Sequence, residues 1–402
     1  VEDRCQEMQN TGASEDEAIE RALRLLGSAK VVARQIYETH SQGTWRQALL
    51  AGMPHLFFAG LFTLNWLAGI AWVPIMLILI AVIVLALIFD FLNGIHDSSN
   101  VVATMISSRA LSPRAALGMT ALANFLGPFL FGVAVAETIG HEIVIAETIN
   151  TQVLLAALVS AILWNLLTWY LGFPSSSSHA LIGGFVGAVV IGAGWQAIQL
   201  NGMEKILIAL FASPIVGFIF GYILLRIIFL LCWNATPRVN AFFKRGQIFT
   251  GLALALSHGA NDAQKTMGII TLALVTGGYL KVFAVPLWVI VLCAAMIALG
   301  TAVGGWKLIR TLGGKFYKIR PVDGFASQLA SAVVIISASL VGGPVSTTQV
   351  ASSAIMGVGA AERVNKVRWG VAQEIAMAWL LTIPATALVA AGIYWVLIQI
   401  IP

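Results

Sequence analysis

The sequence predicts an all-α, polytopic transmembrane protein whose core is duplicated and carries broken half-helices, preceded by a small soluble helical appendage. Three observations lead there. Hydrophobic residues make up 59% of the 402 and charged residues 10%, against roughly 25% charged in an average soluble domain, so most of the chain cannot face water. Apolar runs at 73–89, 154–172, 206–233, 286–305 and 379–401 are long enough to cross about 30 Å of hydrocarbon at about 1.5 Å per residue. Two pairs of polar motifs recur in the same order half a chain apart, the signature of an internal repeat.

Taken in order, residues 1–48 hold a concentration of acidic residues and no segment able to span a membrane. They read as a soluble helical appendage, with Ser14 and Glu17 forming a capping box for a helix over about 15–26 and a second helix over about 29–40. Residues 49–72 supply an extra membrane helix, ended before Pro74. Residues 73–233 form the first repeat of the core, 234–247 a short cytoplasmic linker, and 248–402 the second repeat.

The net charge of +5 is gathered in a few connections rather than along one face, which argues against nucleic-acid binding and reads instead as orientation. Arg226, Arg238, Lys244 and Arg245 mark one cytoplasmic connection; Lys307, Arg310, Lys315, Lys318 and Arg320 mark another. Residues 137–147 contain no Lys or Arg and are expected outside. Cys5, Cys232 and Cys293 are too scattered for a disulfide framework or a metal cluster. No ATP-binding Gly-x-x-x-x-Gly-Lys-Ser/Thr loop is present, so transport by this chain would run on an ion gradient.

The repeated motifs carry the chemistry. NGIHDSSN at 93–100 aligns with HGANDAQK at 258–265, and PSSSSH at 174–179 aligns with PVSTTQ at 344–349. The two Asp are 165 residues apart and the two Pro 170. Repeats with polar breaks at corresponding places point to a transport site near the bilayer midplane. Asp97 and Asp262 each follow an apolar run, and a carboxylate inside a membrane costs at least about 2.5 kcal/mol, so it needs a partner; a bound cation or a proton is the natural one. The Ser and Thr runs, Ser176, Ser177 and Ser178 with Ser346, Thr347 and Thr348, each follow Pro and precede a short helix-compatible run, 180–191 or 351–358. A half-helix starting in mid-membrane aims unsatisfied N–H groups and its positive end at an anion, and the hydroxyls can donate or accept. Together they suit an oxyanion, in a cradle with no fixed positive charge.

Gln264 and Gln349, neutral groups at repeated sites, are expected to complete the ligand or cation shell. Lys265 reads either as an internal counter-ion or as a side chain that snorkels to an interface. Arg109 reads as a helix end or a substrate contact, and His96 and His179 as titrating groups or structural donors. Asn124 and Asn165 are expected to bond across helices.

At 93–113, NGIHDSSNVVATMISSRALSP, and at 257–270, SHGANDAQKTMGII, the chain resembles the inorganic phosphate transporter (PiT) family, as it does at 164–184 and around 342–348 and 366–369. The resemblance covers about 75–402. It implies two inverted repeats, symport of phosphate with Na+ or H+, no further cofactor, and a homodimer in the cell membrane, the inner membrane in a bacterium. It also implies that Asp97, Asp262, Asn93, Asn100 and Asn261 serve the cation and phosphate sites, with Asn100 on the phosphate side and Asn93 and Asn261 on the cation side. The serine and threonine runs would hold phosphate oxygens. His96 stands where many relatives have Asn, a difference that favours proton-coupled uptake of a metal-phosphate complex. Sulfate is the alternative substrate. An anion channel would need a continuous polar pore, and a membrane phosphatase an activated nucleophile or an Arg clamp; the chain offers only His179 beside Ser178 for the latter. It therefore reads as a transporter and not an enzyme.

Overall fold

The computed structural model describes residues 75–145, 149–314 and 317–400; the expected appendage, its capping box and the extra helix over 49–72 lie outside them. Twelve α-helices follow one another there: α1 Ile75–Ser107, α2 Pro113–Phe131, α3 Ala134–Glu137, α4 Thr151–Leu171, α5 Ser177–Gly192, α6 Leu200–Leu231, α7 Val239–Thr276, α8 Leu287–Val303, α9 Trp306–Gly314, α10 Pro321–Leu340, α11 Thr347–Glu362 and α12 Trp369–Ile400. Extended pairing among the described residues is confined to one isolated bridge, Val144 to Ile198.

Six of these helices are long and apolar enough to cross a membrane, seven if α8 and α9, bent by 70° where they meet, count as one span. Helix α7 fails that test despite its 38 residues, because Ser257, His258, Asn261, Asp262, Gln264 and Lys265 crowd its middle. Large apolar side chains such as Ile215, Leu230, Leu380 and Leu388 are exposed on α6 and α12. A chain in water would bury such faces; a multi-pass membrane protein turns them to lipid.

Two sequence expectations change. The Asp motifs were expected as polar interruptions, yet both lie inside unbroken helices, α1 and α7. Neither motif contains Pro, so nothing in it removes a backbone donor or forces the helix ladder open. Helix α7 also starts at Val239, so the connection after α6 is shorter than 234–247. The Pro-Ser segments do break the chain, as expected. The helices that follow them, α5 and α11, have 16 residues each, about 24 Å, and stop short of a full crossing.

Helix pairings in the first half recur in the second, two of the three with partners drawn from the other half. Helix α2 packs on α7 as α8 packs on α1; α4 packs on α1 as α10 packs on α7; α5 packs on α12 as α11 packs on α6. The crossings of the long helices depend on two aligned glycines. A Cβ on Gly94 would run into the carbonyl oxygen of Ile297 on α8, and one on Gly259 into that of Asn124 on α2.

Each Pro-Ser segment is the tip of a helical hairpin. The α10–α11 hairpin is closed at its open end by charge: Arg320, at the N-cap of α10, pairs with Asp323 and with Glu362 at the end of α11, and Lys366 Nζ lies 3.1 Å from Asp323 and 2.5 Å from Glu362. The α4–α5 hairpin opens instead at the segment free of Lys and Arg, where Gln199 N donates to Ile143 O at 2.8 Å and Ile145 N to Ala197 O at 3.0 Å. Overpacking such a crossing costs about 1–3 kcal/mol, so Gly259→Ala should lower the thermal midpoint of the purified protein. An unchanged midpoint would mean that this contact does not set the helix spacing.

Candidate functional site

The hairpin tips are built alike. Helices α4 and α10 end at Gly172 and Gly342, whose φ of 75° and 72° is readily adopted only without a Cβ. Phe173 N then bonds back to Thr168 O at 3.0 Å, and Gly343 N to Ala338 O at 2.8 Å. Pro174 and Pro344 cannot continue the ladder. The next helices start on serine caps: Ser176 Oγ accepts from His179 N at 3.1 Å and Ser346 Oγ from Gln349 N at 3.3 Å. The first hydroxyl of each run is therefore engaged in capping, and only the two that follow reach the acidic groups or the opposite tip.

Those groups come from the buried middles of α1 and α7. Thr348 Oγ1 donates to Asp97 Oδ1 at 2.8 Å while accepting from Asn100 Nδ2 at 3.0 Å. Thr347 Oγ1 lies 2.8 Å from Asp262 Oδ2 and 3.4 Å from Asp97 Oδ2, and its single proton can serve only one of them at a time. Ser177 Oγ approaches Asp97 Oδ2 at 3.4 Å. Ser178 Oγ donates across the gap between tips to Val345 O at 3.2 Å. Four hydroxyls from two hairpins 170 residues apart thus converge on one place.

The cluster also contains nitrogen. His258 Nε2 lies 3.0 Å from Asp262 Oδ2 and 3.8 Å from Asp97 Oδ2, and His96 Nδ1 lies 3.1 Å from Asp97 Oδ1. One ligand atom each from Asp97, His258 and Asp262 falls within 4.8 Å of the others. Two carboxylates that close, at an effective dielectric of about 20, repel by about 3 kcal/mol, so positive charge is required nearby. Part of it is supplied by Lys265, which pairs with Asp262 and donates to Ser178 Oγ at 2.6 Å and Val345 O at 2.8 Å. This corrects the expectation of a cradle without fixed positive charge, and it decides the reading of Lys265 for an internal counter-ion.

Other expected ligands fall elsewhere. Gln264 Oε1 accepts from Val135 N at 2.9 Å and Ala136 N at 3.4 Å, holding the start of α3. Gln349 Nε2 lies 3.4 Å from the His179 ring. Asn261 Nδ2 donates to Ser339 Oγ at 2.8 Å and Gly343 O at 3.2 Å, fixing the second tip in place. The Oδ1 atoms of Asn93, Asn100 and Asn261 are buried acceptors with no hydrogen-bond partner among the described residues. Arg109 is exposed in the turn after α1 with a φ of 58°. Asn124 does bond across helices, to Thr301 at 2.8 Å, whereas neither polar atom of Asn165 has a partner among the described residues.

Two residues escaped the sequence reading. His258 stands one helical turn before Asp262 and so shares its face, a spacing that could have marked it. Asp90 lies within an apolar run and is fully buried, with Thr266 Oγ1 donating to it at 2.5 Å; an ionisable residue at membrane depth is itself the signal.

The sequence profile of the phosphate transporter family matches residues 93–390. The chain belongs to that family. Probable low-affinity inorganic phosphate transporters of Bacillus subtilis and Rhizobium meliloti are each 45% identical to it, over 327 and 320 residues, covering 80% and 79% of this chain and 98% and 96% of theirs. A solved structure described as the sodium-dependent phosphate transporter is similar with a TM-score of 0.75 and 26% identity, covering 80% of this chain and 99% of its own. Membership of a transporter family removes the phosphatase reading and makes the chain a multi-pass protein of the cell membrane. If Ser346 caps α11, Ser346→Ala should cost about 1 kcal/mol of stability and Ser346→Gly only a few tenths; equal losses in denaturant titrations would exclude the capping role.

Proposed function

We propose that this phosphate transporter family member is a secondary symporter, which carries inorganic phosphate together with Na+ or H+ and is built from two inverted repeats. The observation that carries this reading is the convergence of two hairpin tips, one from each half, on Asp97 and Asp262. The hairpins open toward opposite ends: α4–α5 at the stretch without Lys and Arg, α10–α11 at the basic cluster of Arg320 and Lys366. By the positive-inside rule the second end is cytoplasmic, so a site between the tips is reachable from either side in turn.

The hydroxyls provide the coupling. With Asp97 unpaired, Thr347 and Thr348 donate hydrogen bonds to Asp262 and Asp97. A cation or a proton on Asp97 takes that carboxylate out of use as an acceptor, and the Thr348 hydroxyl then turns its oxygen to the cation and its proton to a phosphate oxygen. Ser177, the amides at the starts of α5 and α11 and Asn100 complete the anion shell. The free Oδ1 atoms of Asn93, Asn100 and Asn261 are suited to a cation. The solved relative's sodium dependence supports a co-transported cation, and the homodimer implied by the resemblance belongs to the same proposal.

Purified protein in liposomes should take up labelled phosphate under an imposed Na+ or pH gradient, with sulfate as competitor. Asp97→Asn and Asp262→Asn should each abolish gradient-driven uptake while leaving the protein folded; full uptake by Asp97→Asn would end its cation role, and full uptake by Asp262→Asn would remove that carboxylate from the site. Thr348→Val should weaken phosphate binding at least about tenfold, about 1.4 kcal/mol, and an unchanged affinity would remove the hydroxyl from the coupling.

A further inference from the structure

We propose that Lys265 is a tethered cation, its ammonium filling the pocket on Asp262 that a free Na+ would otherwise take and leaving Asp97 as the one place for an exchangeable cation. The inference deepens the symporter reading and rests on it. Its basis is a difference between the two halves. The motif alignment sets Lys265 opposite Asn100 and Ser178 opposite Thr348. The contacts correspond as well: Asn100 Nδ2 donates to Thr348 Oγ1 at 3.0 Å, and Lys265 Nζ to Ser178 Oγ at 2.6 Å. Each half thus sends a nitrogen from its long helix to a hydroxyl on the other half's tip. In the first half that nitrogen is neutral; in the second it is charged.

The surroundings of Nζ are those of a small cation. A carboxylate oxygen of Asp262, the Ser178 hydroxyl and the Val345 carbonyl oxygen surround it, and the side chain is 3% exposed. An ammonium has three protons and here has three acceptors, so none is left over for a phosphate oxygen. Lys265 therefore compensates Asp262 rather than clamping the anion. Around the tips, two carboxylates face one fixed ammonium, and a single negative charge on Asp97 remains to be met by the travelling ion. His96, His258, Ser177, Thr347 and Thr348 all face that carboxylate. An unmatched buried charge is costly, so removing the ammonium should recruit a replacement.

The test counts Na+. Purified Lys265→Asn, which gives the second half the residue of the first, should bind one more radiolabelled Na+ per chain than wild type, and Asp262→Asn/Lys265→Asn should return to the wild-type number. Equal Na+ binding by wild type and Lys265→Asn overturns the proposal. Should Lys265→Asn not fold, the double variant decides, because it removes both members of the pair. It should fold and bind the wild-type number of Na+ per chain; misfolding or a changed number overturns the proposal. Absence of phosphate uptake by wild type under every gradient would sink the symporter reading instead, and the Na+ count on purified protein would still report on Lys265.

Discussion

Two carboxylates buried within about 5 Å of each other repel, and burial shields them from the bulk solvent that would screen them. That repulsion organises the site. It accounts for the hydroxyls of Thr347 and Thr348 donating inward, for the imidazoles of His96 and His258 beside the carboxylates, and for Lys265 filling one side of Asp262. The long helices serve it too: α1 and α7 carry these side chains in unbroken helix, and neighbours on other elements meet some of their polar groups. Asn261 bonds the loop before Pro344, and Thr266 bonds Asp90.

The helix crossings are the mechanical counterpart of that chemistry. Gly94 and Gly259 let α1 and α7 approach the backbones of α8 and α2, which fixes the long helices while the hairpin tips lie against them. The tips are joined to the long helices by hydrogen bonds, contacts that can be exchanged with a ligand. Polar tips on an apolar, close-packed frame are the arrangement a moving gate requires.

Much of this was legible in the sequence. The duplicated Asp and Pro-Ser motifs gave the location of the site, and Ser177, Ser178, Thr347, Thr348, Asn100, Asp97 and Asp262 do meet. The motif spacing could not tell a polar break from a polar stretch of intact helix, because both interrupt hydropathy alike; only the Pro-containing motifs break. Nor could it separate Ser176 and Ser346, which cap, from the hydroxyls beside them, since one position along a helix start changes the direction of a side chain by about 100°. Gln264 was misread for the same reason: it is two residues from Asp262, on another face, and serves α3. His258 was within reach through its spacing, and Asp90 through its charge. The charge borne by Lys265 was visible from the start, but its three acceptors come from both halves, and a chain compared with itself does not reveal which tip lies against which helix.

In the symport reading, coupling follows from the groups the two ligands share. A hydroxyl has one proton, and in Thr348 it points to Asp97 or to a phosphate oxygen, not to both. Positive charge on Asp97 therefore strengthens anion binding, and by linkage the anion strengthens cation binding by the same factor. Because Thr348 belongs to one half and Asp97 to the other, neither ligand has its full shell unless both tips are in place. A tip withdrawn toward one side leaves a buried carboxylate without its hydroxyl donor, which disfavours passage with the site half filled. The asymmetry at Lys265 limits that penalty to one side: Asp262 keeps its ammonium whatever the tips do, whereas Asp97 depends on what arrives. A duplicated frame with a single changed side chain is thus enough to turn two equivalent cation pockets into one fixed and one exchangeable.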